Sequence, residues 1–107
     1  MTTMHPNKVN RHALHTFTDL PNIGPAAAAD YRLLGYHSVA DLVGVDAYYL
    51  YQRLCQVTGQ RHDPCVIDVF LSVQHFLAGD DARPWWHYTA ERKARLGAIN
   101  NAADGMT

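Results

Sequence analysis

The residues best able to do chemistry are two thiols, an adjoining histidine and a polar stripe on an otherwise apolar segment. Cys55, His62 and Cys65 place two thiols and an imidazole within eleven residues. A structural zinc takes four ligands, so His75, His37 or His12 would have to complete a set that contains no Cys-x2-Cys pair. Buried free thiols are therefore expected ahead of a disulfide or redox pair, with a metal site last. With Asp63 as a helix cap, Cys65 stands at the second helical position, where the helix dipole lowers a thiol pKa. Arg61 and His62 act in the same direction and Asp63 acts against it. Asp68, Ser72 and His75 carry the letters of a nucleophile–base–acid set, but one helix stacks them along its length, and a triad needs convergence on a point. A solvated or partner-facing stripe is expected instead. No catalytic residue, metal ligand, cofactor or small-molecule substrate is assigned, and the chain is read as a non-enzyme.

A second group is aromatic and basic. Trp85, Trp86, His87 and Tyr88 lie beside Arg83, Arg92, Lys93 and Arg95, a combination that can stack bases and hold phosphates. The competing role is core packing, favoured for at least one tryptophan, and in either case Trp86→Ala is expected to destabilise strongly, by about 3–5 kcal/mol as for a buried Trp. The chain of 107 residues has a formal charge of −1, so a strong general nucleic-acid binder is not expected. From Arg83 to Arg95, however, the balance is +3, against −4 elsewhere.

The elements that must hold these residues read as helices. Arg11 to Asp19 is a weak helical segment. Pro25 opens a helix over Ala26–Leu34, with Ala27, Tyr31 and Leu34 on its buried face and Gly35 ending it. Ser38 caps a short helix to Val43, and Asp46 caps Ala47–Thr58, which Gly59 ends. Asp63 and Pro64 open the next, to Leu77 or Ala78, buried through Val66, Val69, Phe70, Val73 and Leu77. Because Cys65, Ile67, Leu71 and Phe76 cover much of its remainder, it is the expected spine. Thr89 caps a last helix over Ala90–Gly97. No stretch alternates with period 2, so no sheet is expected.

Between the first two segments runs Leu20-Pro21-Asn22-Ile23-Gly24-Pro25-Ala26-Ala27-Ala28. This stretch resembles the hairpin of helix-hairpin-helix domains: an apolar residue, Pro-Gly-apolar-Gly, then a helix with Ala near its start. Permissive residues bring backbone close to a phosphate, and the free N–H groups of the following helix attract an anion. Ile23 points inward and locks the turn. Asn22 stands where the family has its first Gly, and Asn tolerates the left-handed region next best. Ala26 and Ala27 stand where DNA-binding hairpins often carry Lys or Arg, and the nearest basic side chain on that helix is Arg32.

Further along, Leu54-Cys55, Gly59, Asp63-Pro64-Cys65-Val66, Asp68-Val69-Phe70, Pro84-Trp85-Trp86 and Thr89-Ala90-Glu91-Arg92-Lys93 are similar to the bacterial pathogenicity-locus family of small helix-hairpin-helix proteins, some labelled mitomycin resistance protein. The resemblance spans about Phe17 to Lys93. It implies one helix-hairpin-helix domain with C-terminal additions, and a link to DNA damage without a named chemistry.

The expectation is thus an all-α single domain of five to six short helices with SAM-like architecture. Residues 1–10 form a flexible start, 11–97 the domain and 98–107 a flexible tail. The expected role is weak or indirect, non-sequence-specific DNA association through backbone contacts. The site would comprise Pro21, Asn22, Ile23, Gly24, Ala26, Ala27, Arg32, Arg92 and Lys93. The alternative is a protein-interaction module, with itself or a partner, that keeps the hairpin as scaffold. A thiol redox or metal role at Cys55 and Cys65 stands third. No apolar run reaches the ~18–20 residues of a membrane span. With no leader visible and two cysteines, a cytoplasmic setting is expected.

Overall fold

The computed structural model describes the backbone of residues 5–105 and the side chains of residues 5–97. Among the described residues there are four α-helices, α1 (Pro25–Leu33), α2 (Ala47–Thr58), α3 (Cys65–Leu77) and α4 (Thr89–Gly105), and no strand. Short 3₁₀ turns cover Pro6–Lys8, Phe17–Asp19, Val39–Leu42 and Trp85–Tyr88.

The helix ends follow their local chemistry. Asp46 Oδ2 accepts from the Tyr49 N–H at 3.0 Å to start α2, and Gly59 ends it at φ 68°. At the end of α1 the Tyr36 N–H reaches back to the Tyr31 carbonyl at 3.0 Å, with Gly35 at φ 95°. Arg11 closes the end of α3 from a distance in sequence: its guanidinium donates to the Phe76 and Asp80 carbonyls at 2.7 and 2.6 Å. Cationic donors at a helix C-terminus add to the hydrogen bonding of its last carbonyls and complement the negative end of the dipole.

α3 is the spine. Ile67, Phe70, Leu71, Val73 and Phe76 are buried along it. A column of rings runs from Phe17 to Tyr31 to Phe70, with centroids 5.2 Å apart at each step. α2 packs on α3 through Ala47, Leu50 and Leu54, and the Ala47 N–H donates to Gln74 Oε1 at 2.9 Å.

Five features differ from the sequence reading. The segment Arg11–Asp19 holds only a turn and a 3₁₀ turn, because Asp19 Oδ2 accepts from the His15 and Thr16 N–H groups and tightens the chain there. The Ser38-capped segment is likewise 3₁₀ and stops at Leu42. The last helix starts at Thr89 and runs through Gly105, so residues 98–105 are helical. Residues 1–4 and 106–107 of the expected flexible ends lie outside the described residues. Trp86 is 64% exposed, while Tyr88 is 5% exposed and takes the core position; the large penalty expected for Trp86→Ala does not apply. Finally, Val66, Val69 and Leu77 are only half-buried, and the stripe of Asp68 and Ser72 is fully buried.

Candidate nucleic-acid interface

The stretch Leu20–Gly24 forms a tight turn in which the Ile23 N–H faces the Leu20 carbonyl at 3.4 Å. Pro21 supplies a preset φ, and Asn22 adopts φ 64°, the left-handed value the second turn position needs. Asn22 is the one non-glycine residue with positive φ among the described residues. Its side chain explains why it is held there: Nδ2 donates to the Arg83 carbonyl at 2.8 Å. That bond ties the turn to the loop before Trp85. Ile23 is fully buried, so it locks the turn from within.

Gly24 precedes α1 in an extended conformation, φ −95° and ψ −175°. Its carbonyl accepts from the Ala28 N–H at 3.0 Å. Pro25 has no N–H, which leaves the Ala26 and Ala27 amides as the donors of the helix start. Ala26 is exposed and Ala27 half-exposed.

The basic residues divide sharply. Arg92 is 9% exposed. Its Nε donates to Asp68 Oδ1 at 2.9 Å and its Nη2 to Oδ2 at 3.3 Å. Thr89 Oγ1 donates to Asp68 Oδ2 at 2.7 Å. Asp68, at 0% exposure, is thus fully engaged, and it holds Arg92 charged by raising an already high pKa. Arg92 joins α3 to α4 and is not free to meet a phosphate, contrary to its assignment from sequence. Arg95 lies 3.7 Å from Asp46 Oδ1 and 4.0 Å above the Tyr48 ring. Arg32 lies 5.5 Å above the Phe17 ring, six residues or about 9 Å along the helix from Ala26. It is therefore away from the helix start. Lys93 remains exposed on α4, and Arg83 and Lys8 are exposed as well.

The turn brings together Pro21, Asn22, Ile23, Gly24, Ala26 and Ala27. It does not bring Arg32 or Arg92 to them. What the sequence reading did not join to the hairpin is the loop of Arg83, tied to the turn by the Arg83 carbonyl. With it comes exposed Trp86, which shares a cleft with Asn22. The +3 balance of Arg83–Arg95 hinted at both, but spacing alone could not show which cations were already paired.

The thiol and histidine constellations have other geometries. Cys55 and Cys65 are free and half-buried. Asp63 Oδ1 accepts from the Cys65 N–H at 2.8 Å, which confirms Asp63 as the cap although the regular helix begins at Cys65. Hydrogen bonding of the thiol to Asp63 raises the Cys65 pKa ahead of burial, and Arg92 lowers it less. His75 does not join Asp68 and Ser72. Its Nε2 lies 3.1 Å from Glu91 Oε1 and its Nδ1 3.4 Å from Asp80 Oδ2, while its ring stacks on Tyr88 at 5.1 Å. Ser72 Oγ donates to the Val69 carbonyl at 2.6 Å. The stripe is therefore structural, not solvated. Among the described residues, no group of three His, Cys, Asp or Glu is placed to hold a metal ion, and no helix is long and apolar enough to cross a membrane.

Comparison with known proteins places this geometry in a family. Over 90 residues the chain is 39% identical to the mitomycin resistance protein McrB of Streptomyces lavendulae, covering 84% of this chain and 86% of that protein. No solved structure matches. The family described as Pathogenicity locus (Cdd1) matches residues 10–94, which includes the turn, the Asp68–Arg92 pair and the Trp85–Tyr88 segment. On that match, the chain belongs to the pathogenicity-locus family.

Proposed function

We propose that the turn at Leu20–Gly24 and the start of α1 act as a helix-hairpin-helix element that contacts DNA backbone weakly and without sequence preference. The observation that carries this reading is the Asn22–Arg83 hydrogen bond. It fixes a left-handed turn at a helix start and ties it, through a main-chain carbonyl, to the loop that carries exposed Arg83. Backbone amides and a helix N-terminus favour an anion, and one nearby guanidinium adds the salt-sensitive part. The element before the turn is a single 3₁₀ turn, Phe17–Asp19, so the first helix of the motif is abbreviated. Arg92 and Arg95 are engaged within the chain and add little charge beside the turn. Affinity in the range of non-specific binders, roughly 10⁻⁴–10⁻⁶ M, is expected. The relative's name, a mitomycin resistance protein, fits a role near damaged DNA.

Amide chemical shifts of the full chain during titration with a short duplex test this. Shifts centred on Gly24, Ala26, Ala27 and Arg83 are expected. An unchanged spectrum at low salt overturns the reading.

One observation favours a protein-interaction role instead. Leu33, Val43, Tyr49 and Val57 are large apolar residues exposed by 42–61%, and an apolar cleft of about 640 Å³ opens beside Tyr51, Cys55 and Leu96. A chain that stays monomeric in light scattering and captures no partner would remove that alternative.

A further inference from the structure

Beside the hairpin turn lies a second cleft, of about 360 Å³. Its walls are Trp85, Trp86 and Pro84, and Val69 lies on its α3 side; Asn22 closes it toward the turn, and Pro6 and His5 border it. The two indoles meet edge to face, centroids 5.7 Å apart and planes at 83°. Trp86 is 64% exposed. Its indole therefore does little for the core, whose nearby position Tyr88 fills.

The chemistry of the cleft is narrow. It offers flat aromatic and proline surfaces, and none of its bordering residues carries a carboxylate. Arg83 adjoins it in sequence but borders a separate cleft with His75, Tyr88 and Glu91. The volume is near the lower end of the ~300–1,000 Å³ of small-molecule sites, suited to one planar ring system. A ligand with a flat apolar face matches these walls, and Asn22 joins them to the turn and the start of α1, where an anion is favoured. A nucleobase on its phosphate is such a group. Inside a duplex both faces of a base are covered by neighbours, so only an unpaired base presents one.

We propose that this cleft is a stacking subsite for an unpaired nucleobase at a DNA end or gap, working with the hairpin turn next to it. The inference rests on the DNA-backbone reading above and adds a substrate class to it. Asn22 belongs to both places: it shapes the turn and borders the cleft. A phosphate at the Ala26–Ala27 amides would thus have its neighbouring base within the same corner of the molecule.

The test uses the full chain and three labelled DNAs in fluorescence anisotropy: a blunt duplex, the same duplex with a short single-stranded overhang, and that overhang made abasic. The overhang is expected to bind roughly tenfold tighter than the blunt duplex, the order that one stacked base supplies. The abasic overhang should fall back to the blunt value. Trp86→Ala should erase the difference between overhang and blunt duplex, and Trp86→Phe should keep part of it. Equal binding of all three DNAs, or a preference that survives Trp86→Ala, overturns the stacking subsite and leaves backbone binding standing. Absence of binding to any of them at low salt overturns both.

Discussion

Replacing Arg92 with Ala separates a structural guanidinium from a DNA-contacting one. The side chain makes two hydrogen bonds to Asp68, at 2.9 and 3.3 Å, and Asp68 has no solvent exposure. Its removal leaves a buried carboxylate with the Thr89 hydroxyl as its remaining donor. Stranding one member of a buried ion pair costs about 3–5 kcal/mol. A domain of this size has a net stability of roughly 5–15 kcal/mol. At ~4–8 °C per kcal/mol, the melting temperature should fall by more than about 10 °C. Circular dichroism melts measure this directly. The double variant Asp68→Leu with Arg92→Met should melt higher than Arg92→Ala, since the pair's desolvation cost vanishes with both charges. An Arg92→Ala protein that melts within about 2 °C of the parent would refute the structural assignment. So would a variant that loses DNA affinity with an unchanged melt.

Other expectations follow from the same geometry. Asn22→Ala should destabilise by about 2 kcal/mol, through left-handed strain and the lost bond to Arg83, whereas Asn22→Gly should recover the strain part; urea denaturation distinguishes them. Backbone N–H donors at His15 and Thr16 hold Asp19 below the usual carboxylate range. Those at His37 and Ser38 hold Asp41 low, and that at Cys65 holds Asp63 low. Groups with depressed folded pKa values stabilise above their unfolded pKa and lose that contribution as pH falls through the folded one. Asp30, raised by burial, acts in the opposite sense. Melting temperature should therefore drop below about pH 4, and replacing Asp19, Asp41 and Asp63 with Asn should flatten that limb of the profile. In a Cys55→Ser background, Asp63→Asn should speed alkylation of Cys65 near neutral pH, because it removes the carboxylate that holds the thiol protonated; an unchanged rate would mean that burial governs the thiol.

Where function-bearing backbone was concerned, the sequence was legible. Pro21, Asn22 and Gly24 announce a turn through φ preferences that act locally, and Asp46 and Gly59 mark the ends of α2 in the same way. Long-range pairing was not legible. Asp68 and Arg92 lie 24 residues apart, and each alone reads as a surface charge. A clue was present: a helix apolar on nearly every side, such as α3, is buried, and a carboxylate on it must find a cation. Thr89 and Arg92, three apart at the start of α4, lie on one helix face and can meet that carboxylate together. The two tryptophans were assigned by size, but size does not say which side of a 3₁₀ turn faces inward, and Tyr88 rather than Trp86 does. Arg83 reads from sequence as part of the aromatic and basic segment and not of the hairpin, because its main chain, not its side chain, meets the turn.

The central claim is that the Leu20–Ala27 hairpin binds DNA backbone. Anisotropy of a labelled duplex titrated with the full chain at two salt concentrations tests it most directly. The account predicts binding that weakens with salt, with a log–log slope of about −1, set mainly by the Arg83 guanidinium. It also predicts loss of part of that slope in Arg83→Ala. Absence of binding at the lower salt, or a slope unmoved by Arg83→Ala, would contradict it.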